Sequence, residues 1–179
     1  MRVIAGARKG QQFGSPHGHH THPMSDKVRG ALFNILGDIE GLTFLDAFAG
    51  SGALAFEAAS RGAKSVIAVD KDSSAHLVIE KNVKELRLQN QVKVIKANAA
   101  GWSIHNMEKK FDIVLLDPPY DSLQLQLMTR LAIRHVKNDG LAVVSLPPRS
   151  DFVLEPGRFK LEVSKNYGDA ELAFYRKIK

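Results

Sequence analysis

Two short stretches hold the residues best equipped for chemistry. The first is Asp117-Pro118-Pro119-Tyr120, which ends the apolar run Phe111-Asp112-Ile113-Val114-Leu115-Leu116. Pro118 and Pro119 fix their φ angles and carry no N–H, so the chain is stiff there and offers bare carbonyl oxygens beside a carboxylate and an aromatic ring. Such a set suits a planar amine. An exocyclic amino group on a base has its lone pair spread into the ring, so it attacks poorly until its hydrogens are held and the nitrogen moves toward tetrahedral geometry. Asp117 and the Pro118 carbonyl can accept those two hydrogens while Tyr120 stacks on the ring and fixes its plane. A carboxylate of ordinary pKa, ~3.9, cannot strip a proton from a neutral aryl amine, but it stabilises positive charge developing on nitrogen as an electrophilic carbon arrives. The competing reading is a plain chain reversal after a strand.

The second stretch is Leu45-Asp46-Ala47-Phe48-Ala49-Gly50-Ser51-Gly52-Ala53-Leu54. Its apolar run reaches a carboxylate, turns through two glycines and continues into helix-forming sequence. Glycines let a ligand approach the backbone closely, and the free N–H groups opening the next helix welcome a ligand's anionic end. Gly50-x-Gly52-x-x-Ala55 satisfies the loose dinucleotide fingerprint, with Asp70 twenty positions after Gly50 as the ribose-binding acid. Asp46 favours a different cofactor. Four residues before Gly50, it would repel the pyrophosphate of NAD, whereas S-adenosylmethionine (AdoMet) carries an ammonium and a sulfonium. The methyl donor is therefore the preferred reading, with a dinucleotide as the alternative. In-line displacement from a sulfonium requires no metal and no covalent enzyme intermediate.

The elements that must position these residues alternate strand and helix from Leu42 onward, which predicts an α/β fold: a Rossmann-like, mostly parallel, doubly wound sheet. The expected strands are Thr43 to Asp46, Ser65 to Val69, Val92 to Ile95, Phe111 to Leu116 and Leu141 to Ser145. Helices are expected over Gly52 to Arg61, Ser73 to Leu86, Gly101 to Lys109 and Ser122 to His135. Phe159 to Val163 and Ala170 to Tyr175 form a C-terminal antiparallel hairpin across Lys165-Asn166-Tyr167-Gly168-Asp169. Ligands of such sheets bind beyond the carboxyl ends of the strands, where Asp46, Asp70 and Asp117 all fall.

Residues 1–24 read as an exposed arm rather than a separate domain, ahead of one domain over 25–179. Ser25 caps a helix that ends near Gly37. The cluster His17, His19, His20 and His22 lacks the separated, anchored ligand pairs of a structural zinc site, so it reads as a polar loop and no metal is expected. Arg2, Arg8, Lys9, Lys27 and Arg29 stand against Asp26 alone, within a chain of formal net charge +6, and predict a nucleic-acid contact at this end. The absence of cysteine excludes disulfides, thiolate metal sites and a cysteine nucleophile. No apolar run approaches the ~18 residues of a membrane span and no signal peptide is evident, so a cytoplasmic protein is expected, acting as a monomer. Trp102 reads as a packing residue.

These residues together resemble the AdoMet-dependent amino-methyltransferases, and more closely the RsmD-like family that methylates the N2 amine of a guanine in 16S ribosomal RNA. The resemblance runs through Met1-Arg2-Val3-Ile4-Ala5-Gly6, the segment Pro23 to Leu36, the glycine turn with Ser60-Arg61-Gly62-Ala63, Asp117 to Tyr120 and Tyr167-Gly168-Asp169. It implies a class I methyltransferase fold in which Asp46, Gly50 and Gly52 hold the methionine part of AdoMet. Asp70, with Lys71 beside it, would take the ribose, and Asn98 and Ala99 would line the adenine. Asp117, Pro118 and Tyr120 would orient the guanine amine. Arg2, Arg8, Lys9, His22, Lys27, Arg29 and Tyr167 would meet the 16S rRNA, free or in an assembling small subunit. Three positions depart from the family pattern: His22 stands in place of arginine, Asn98 in place of aspartate and Gly30 in place of an acid. The rivals are a DNA adenine-N6 methyltransferase and a non-catalytic RNA-binding module on the same scaffold.

Overall fold

The computed structural model describes residues 1–16 and 24–179. The histidine cluster, His22 included, lies outside the described residues. The elements are α1 (Asp26–Leu36), β1 (Thr43–Asp46), α2 (Ala53–Ser60), β2 (Ser65–Asp70), α3 (Ser73–Glu85), β3 (Val92–Lys96), α4 (Ala99–Ile104), β4 (Phe111–Leu116), α5 (Leu125–His135), β5 (Val136–Leu146), β6 (Phe159–Asn166) and β7 (Glu171–Lys177). Seven strands form one sheet in the order β3-β2-β1-β4-β5-β7-β6. The first five are parallel, while β7 runs antiparallel to both β5 and β6. The expected fold class and C-terminal hairpin are both present.

Burial on both faces explains why the central strands read as unbroken apolar runs. Leu32, Phe33, Phe56 and Ile79, from α1, α2 and α3, pack on one face. Trp102, Met128 and Leu131, from α4 and α5, pack on the other, so Trp102 is a core residue. Strand order reverses at β1, which pairs with β2 on one side and β4 on the other. The crevice of such a sheet opens at that switch point, beside the two stretches identified from sequence. No helix among the described residues is long and apolar enough to cross a membrane.

Ser25 caps α1 as expected, its Oγ accepting the Val28 N–H at 3.3 Å. Several other boundaries differ, among them α4, which also ends early at Ile104, and β6, which runs on to Asn166. Helix α4 starts at Ala99 because Asn98 caps it through the Gly101 N–H at 2.7 Å. A 3-10 turn over Tyr120–Ser122 takes the place of the first turn expected for α5. Strand β5 begins at Val136 because Asp139, at φ 61°, turns within the strand while the register with β4 shifts between Phe111 and Ile113.

The larger correction concerns the N-terminal segment, which over residues 1–16 is docked on the core rather than exposed. Val3 and Phe13 are buried, and the chain folds back on itself through Val3 N–H to Gln11 O and Gly10 N–H to Val3 O, both 2.9 Å. Glu57, buried in α2, accepts the backbone N–H groups of Ile4 at 2.8 Å and Ala5 at 3.0 Å. Gly6, at φ 83°, lies so close to α2 that an added Cβ would sit 1.9 Å from the Ser60 carbonyl oxygen. Gly6→Ala is therefore expected to cost about 2 kcal/mol or more, lowering the melting temperature by roughly 4–8 °C in a thermal scan. An unchanged melting temperature would show that the segment does not need this close approach.

Arg29 is a second correction. It is wholly buried and cannot lie on RNA. Its guanidinium donates to the Arg2 carbonyl at 2.7 Å and to Asp26 Oδ1 at 2.9 Å, with Glu57 Oε2 3.9 Å from its Nε. A cation in an apolar interior needs such partners, and here it fastens the N-terminal segment to α1 and α2.

Candidate active site

The carboxyl ends of β1, β2, β4 and β5 converge on one cavity of about 780 Å³. Gly50, Asp70, Lys71, Asn98 and Ala99 line one part of it. Asp117, Pro118 and Tyr120 line the adjoining part, so the glycine turn and the Asp-Pro-Pro-Tyr stretch face the same space. Ser15, Met24, Ser25 and Val28 supply a wall from the N-terminal segment and α1.

Each turn is held by bonds legible from its residues. Asp70 Oδ2 accepts the Gly50 N–H and its Oδ1 the Asp72 N–H, both at 2.8 Å, so one carboxylate ties the β1–α2 turn to the β2–α3 turn. Each oxygen keeps a lone pair that a hydroxyl could use. Gly52, at φ 79°, caps α2 in the left-handed conformation, and a Cβ there would lie 2.7 Å from the Phe56 ring. Asn98 Oδ1 is engaged in its helix cap, leaving its Nδ2 as the uncommitted donor.

Asp46 and Gly52 do not line the cavity; they form the layer beneath its floor. Direct contact was expected of both. The residues from Ala47 to Ser51 line the space instead. Asp46 is wholly buried, and among the described residues neither carboxylate oxygen makes a well-formed hydrogen bond. Burial first, then the nearby charges of Asp117 and Asp70, push its pKa up to about 8, against a smaller opposing pull from the Phe48 backbone.

Two further residues escaped the sequence reading. Ser145, buried near the end of β5, places its Oγ 2.7 Å from the Tyr120 hydroxyl. Asp169, in the turn between β6 and β7, lines the cavity and raises the pKa of Tyr120. Ser145 could have been found by asking what ends each apolar strand, as was done for the acids; Asp169 needed the topology. Burial raises Asp117 to about 6, offset in part by a hydrogen bond from Ser145. Burial likewise holds the Tyr120 phenol up to about 12, so it remains protonated.

The protein-family model described as "Conserved hypothetical protein 95" matches residues 1–176. A Bacillus subtilis protein named "Putative rRNA methyltransferase YlbH" is 33% identical, over 99% of each chain. Escherichia coli "Ribosomal RNA small subunit methyltransferase D" is 34% identical over 67% of this chain and 60% of its own length. The chain belongs to this RsmD-like methyltransferase family. A solved Escherichia coli structure described as "Putative methyltransferase yhhF" superposes with a TM-score of 0.88 at 28% identity, covering 99% of this chain and 98% of that one.

The RsmD-like chain fits the AdoMet on which the family depends. Burial holds Asp46 largely protonated in the empty protein, and a cation placed above it favours its ionised form. Asp70 and Asp117 give one end of the cavity a negative field, suited to an ammonium and a sulfonium and hostile to a pyrophosphate, and Asp46 beneath the floor can ionise toward a bound cation. The dinucleotide alternative thus meets acids where it requires donors.

Tyr167 is half-buried against the core beside the same hairpin turn. Lys9 and Lys27 are exposed, and Arg2, also exposed, pairs with Asp26 at 3.0 Å. Arg8 donates to the Arg87 carbonyl at 3.3 Å.

Proposed function

We propose that this chain transfers the methyl group of AdoMet to the exocyclic N2 amine of a guanine in 16S rRNA. The observation that carries this reading is that the glycine-turn residues Gly50 and Asp70 and the amine-binding residues Asp117, Pro118 and Tyr120 share one cavity. Bound AdoMet would supply an electrophilic methyl carbon on a sulfonium.

The remaining chemistry belongs to the chain. Asp70 would hold the ribose, with Lys71 at the cavity edge, while Asn98 and Ala99 would take the adenine. The Asp117 carboxylate and Pro118 carbonyl would accept the two amine hydrogens and Tyr120 would fix the base plane, so the nitrogen lone pair faces the methyl carbon. As the N–C bond forms and the C–S bond breaks, positive charge moves onto nitrogen beside Asp117. Asp117 then takes the proton, which its pKa of about 6 lets it pass to water near neutral pH.

Asp169 supports guanine over adenine. A carboxylate only accepts; guanine offers an N1–H beside its N2 amine, whereas adenine presents a lone pair at N1. The base must leave its stack to enter the cavity, which costs a few kcal/mol and is least in a loop or an incompletely assembled subunit.

The RNA face is proposed to run from Arg2, Arg8, Lys9 and Lys27 toward Tyr167, with Arg29 beneath it. Reversing Lys9 and Lys27 to glutamate should weaken RNA binding and reduce the slope of log affinity against log salt by roughly 1.5. Unchanged affinity and slope would move the RNA elsewhere. The function itself is tested by incubating the protein with labelled AdoMet and undermodified 16S rRNA or subunits, then identifying the product by mass spectrometry. N2-methylguanosine supports the reading. N6-methyladenine in DNA, or AdoMet binding without transfer to any nucleic acid, overturns it.

A further inference from the structure

We propose that Ser145 is a positioning residue whose hydroxyl ties the Tyr120 phenol to the Asp117 carboxylate, so that the plane of the base and the charge that receives its proton are set as one unit. The proposal rests on the methyl-transfer reading for its purpose, but its geometry stands apart from the identity of the substrate.

Ser145 is 3% exposed, its Oγ lies 2.7 Å from Tyr120 Oη, and it sits close enough to Asp117 to pull that carboxyl's pKa down. It stands one step beyond the Leu116–Val144 pair of β4 and β5, which brings it beside Asp117. Its side chain lines the cavity beside Asp117 and Tyr120, on the strand face opposite Val144 and Leu146. A buried hydroxyl needs partners, and alanine would serve if packing alone mattered.

The directions of the bonds follow from the chemistry. An ionised carboxylate only accepts, so the Ser145 hydroxyl donates to Asp117. Ser145 Oγ must then accept from the Tyr120 O–H, so the phenol points its proton away from the base. The ring has one side chain torsion fixed at its far end, and its half-exposed face is left for stacking. When Asp117 takes the proton released by the amine, it no longer needs the hydrogen bond from Ser145, and the tie slackens as product forms.

The groups facing this unit are Asp46 from β1, Tyr120 from the 3-10 turn and Asp169 from the β6–β7 turn. Asp46 is the ionisable neighbour whose own titration touches Asp117, so it is followed in the same experiment.

The test compares wild type with Ser145→Ala, Ser145→Thr and Tyr120→Phe by two readouts. The first is the carbon-13 NMR titration of Asp117 and Asp46 in the full-length protein without ligand. The second is the steady-state pH profile with AdoMet and 16S rRNA. Ser145→Ala should raise the Asp117 midpoint and move the acid limb of kcat with it. It should also lower kcat by roughly 10- to 100-fold, the scale of one hydrogen bond to a charged group, while KM for AdoMet stays within twofold. Threonine keeps the hydroxyl and should restore both. Tyr120→Phe should lower kcat with a smaller shift of the Asp117 midpoint, because the Ser145–Asp117 bond survives. Identical Asp117 titrations in wild type and Ser145→Ala overturn the proposal. A shifted titration in a protein that methylates no RNA guanine would sustain the tie and overturn the functional reading alone.

Discussion

Asp117→Ala is expected to reduce kcat by ~10³-fold or more while AdoMet affinity changes less than about threefold, since its carboxylate meets charge that develops only in the transition state. Asp117→Asn keeps the shape and one acceptor but not the charge, and should retain no more than about a hundredth of wild-type turnover. Isothermal titration with AdoMet and single-turnover methylation separate the two quantities. In wild type, the required form of Asp117 is ionised, so activity should fall as pH drops through about 6. The stability effect has the opposite sense. A carboxyl whose folded pKa is raised from 3.8 to about 6 favours the fold at low pH and loses that contribution as pH rises between those values. Loss of activity near pH 6 is therefore expected without acid unfolding, which circular dichroism at the same pH checks. Full turnover by Asp117→Ala would remove this residue from the chemistry.

Asp46→Asn should separate stability from function in the other direction. The free protein carries a buried carboxyl held near a pKa of about 8 by burial and by Asp117 and Asp70, against a weaker pull from the Phe48 backbone. At pH 7 it is largely protonated, and a cationic donor brought above it favours ionisation. AdoMet binding at pH 7 should then release a proton, and affinity should climb as pH rises toward 8, by up to about tenfold per unit. Calorimetry in buffers of different ionisation enthalpy measures that proton directly. Asp46→Asn cannot release it, so its AdoMet affinity should be lower by ~10-fold or more and nearly independent of pH over this range. Its ligand-free melting temperature should match or exceed that of wild type. For wild type, the raised pKa means that stability from this group is present below 3.8 and is lost as pH climbs toward about 8. The melting temperatures of the two proteins should diverge most at the alkaline end. A pH-independent affinity in wild type would place the donor's cationic end elsewhere.

Much of the scaffold was legible because the central strands are buried on both faces. Thr43–Asp46 and Phe111–Leu116 could be bounded at both ends, since each is an apolar run that stops at or just before an acid. The acids therefore mark the carboxyl edge of the sheet in the sequence itself. Local signals misled where a residue has two uses. Gly101 looked like a helix start, whereas its N–H is the group that Asn98 caps. The strand expected from Leu141 begins at Val136, because β5 bends at Asp139-Gly140 and continues. The N-terminal segment was opaque for a different reason: its partners in α2 are more than fifty residues away and Arg29 is 27 residues from Arg2. Nothing local to Ile4 or Ala5 reveals that Glu57 accepts their N–H groups, and nothing local to Arg29 reveals that it is the buried partner of the same segment. A basic residue near other basic residues reads as surface until its carboxylates are located. Depth was the other hidden quantity. The resemblance assigned Asp46 to the methionine end of the donor without revealing that it is wholly buried and does not line the cavity.

The central claim is that methyl donor and target amine meet in the crevice beside β1 and β4. A crystal structure of the protein with S-adenosylhomocysteine tests it most directly. The expected result has the ribose on Asp70, the amino-acid end above Asp46 and the sulfur facing the space between Asp117 and Tyr120. A ligand seated away from the Gly50 turn, or one whose sulfur is walled off from Asp117, would contradict it.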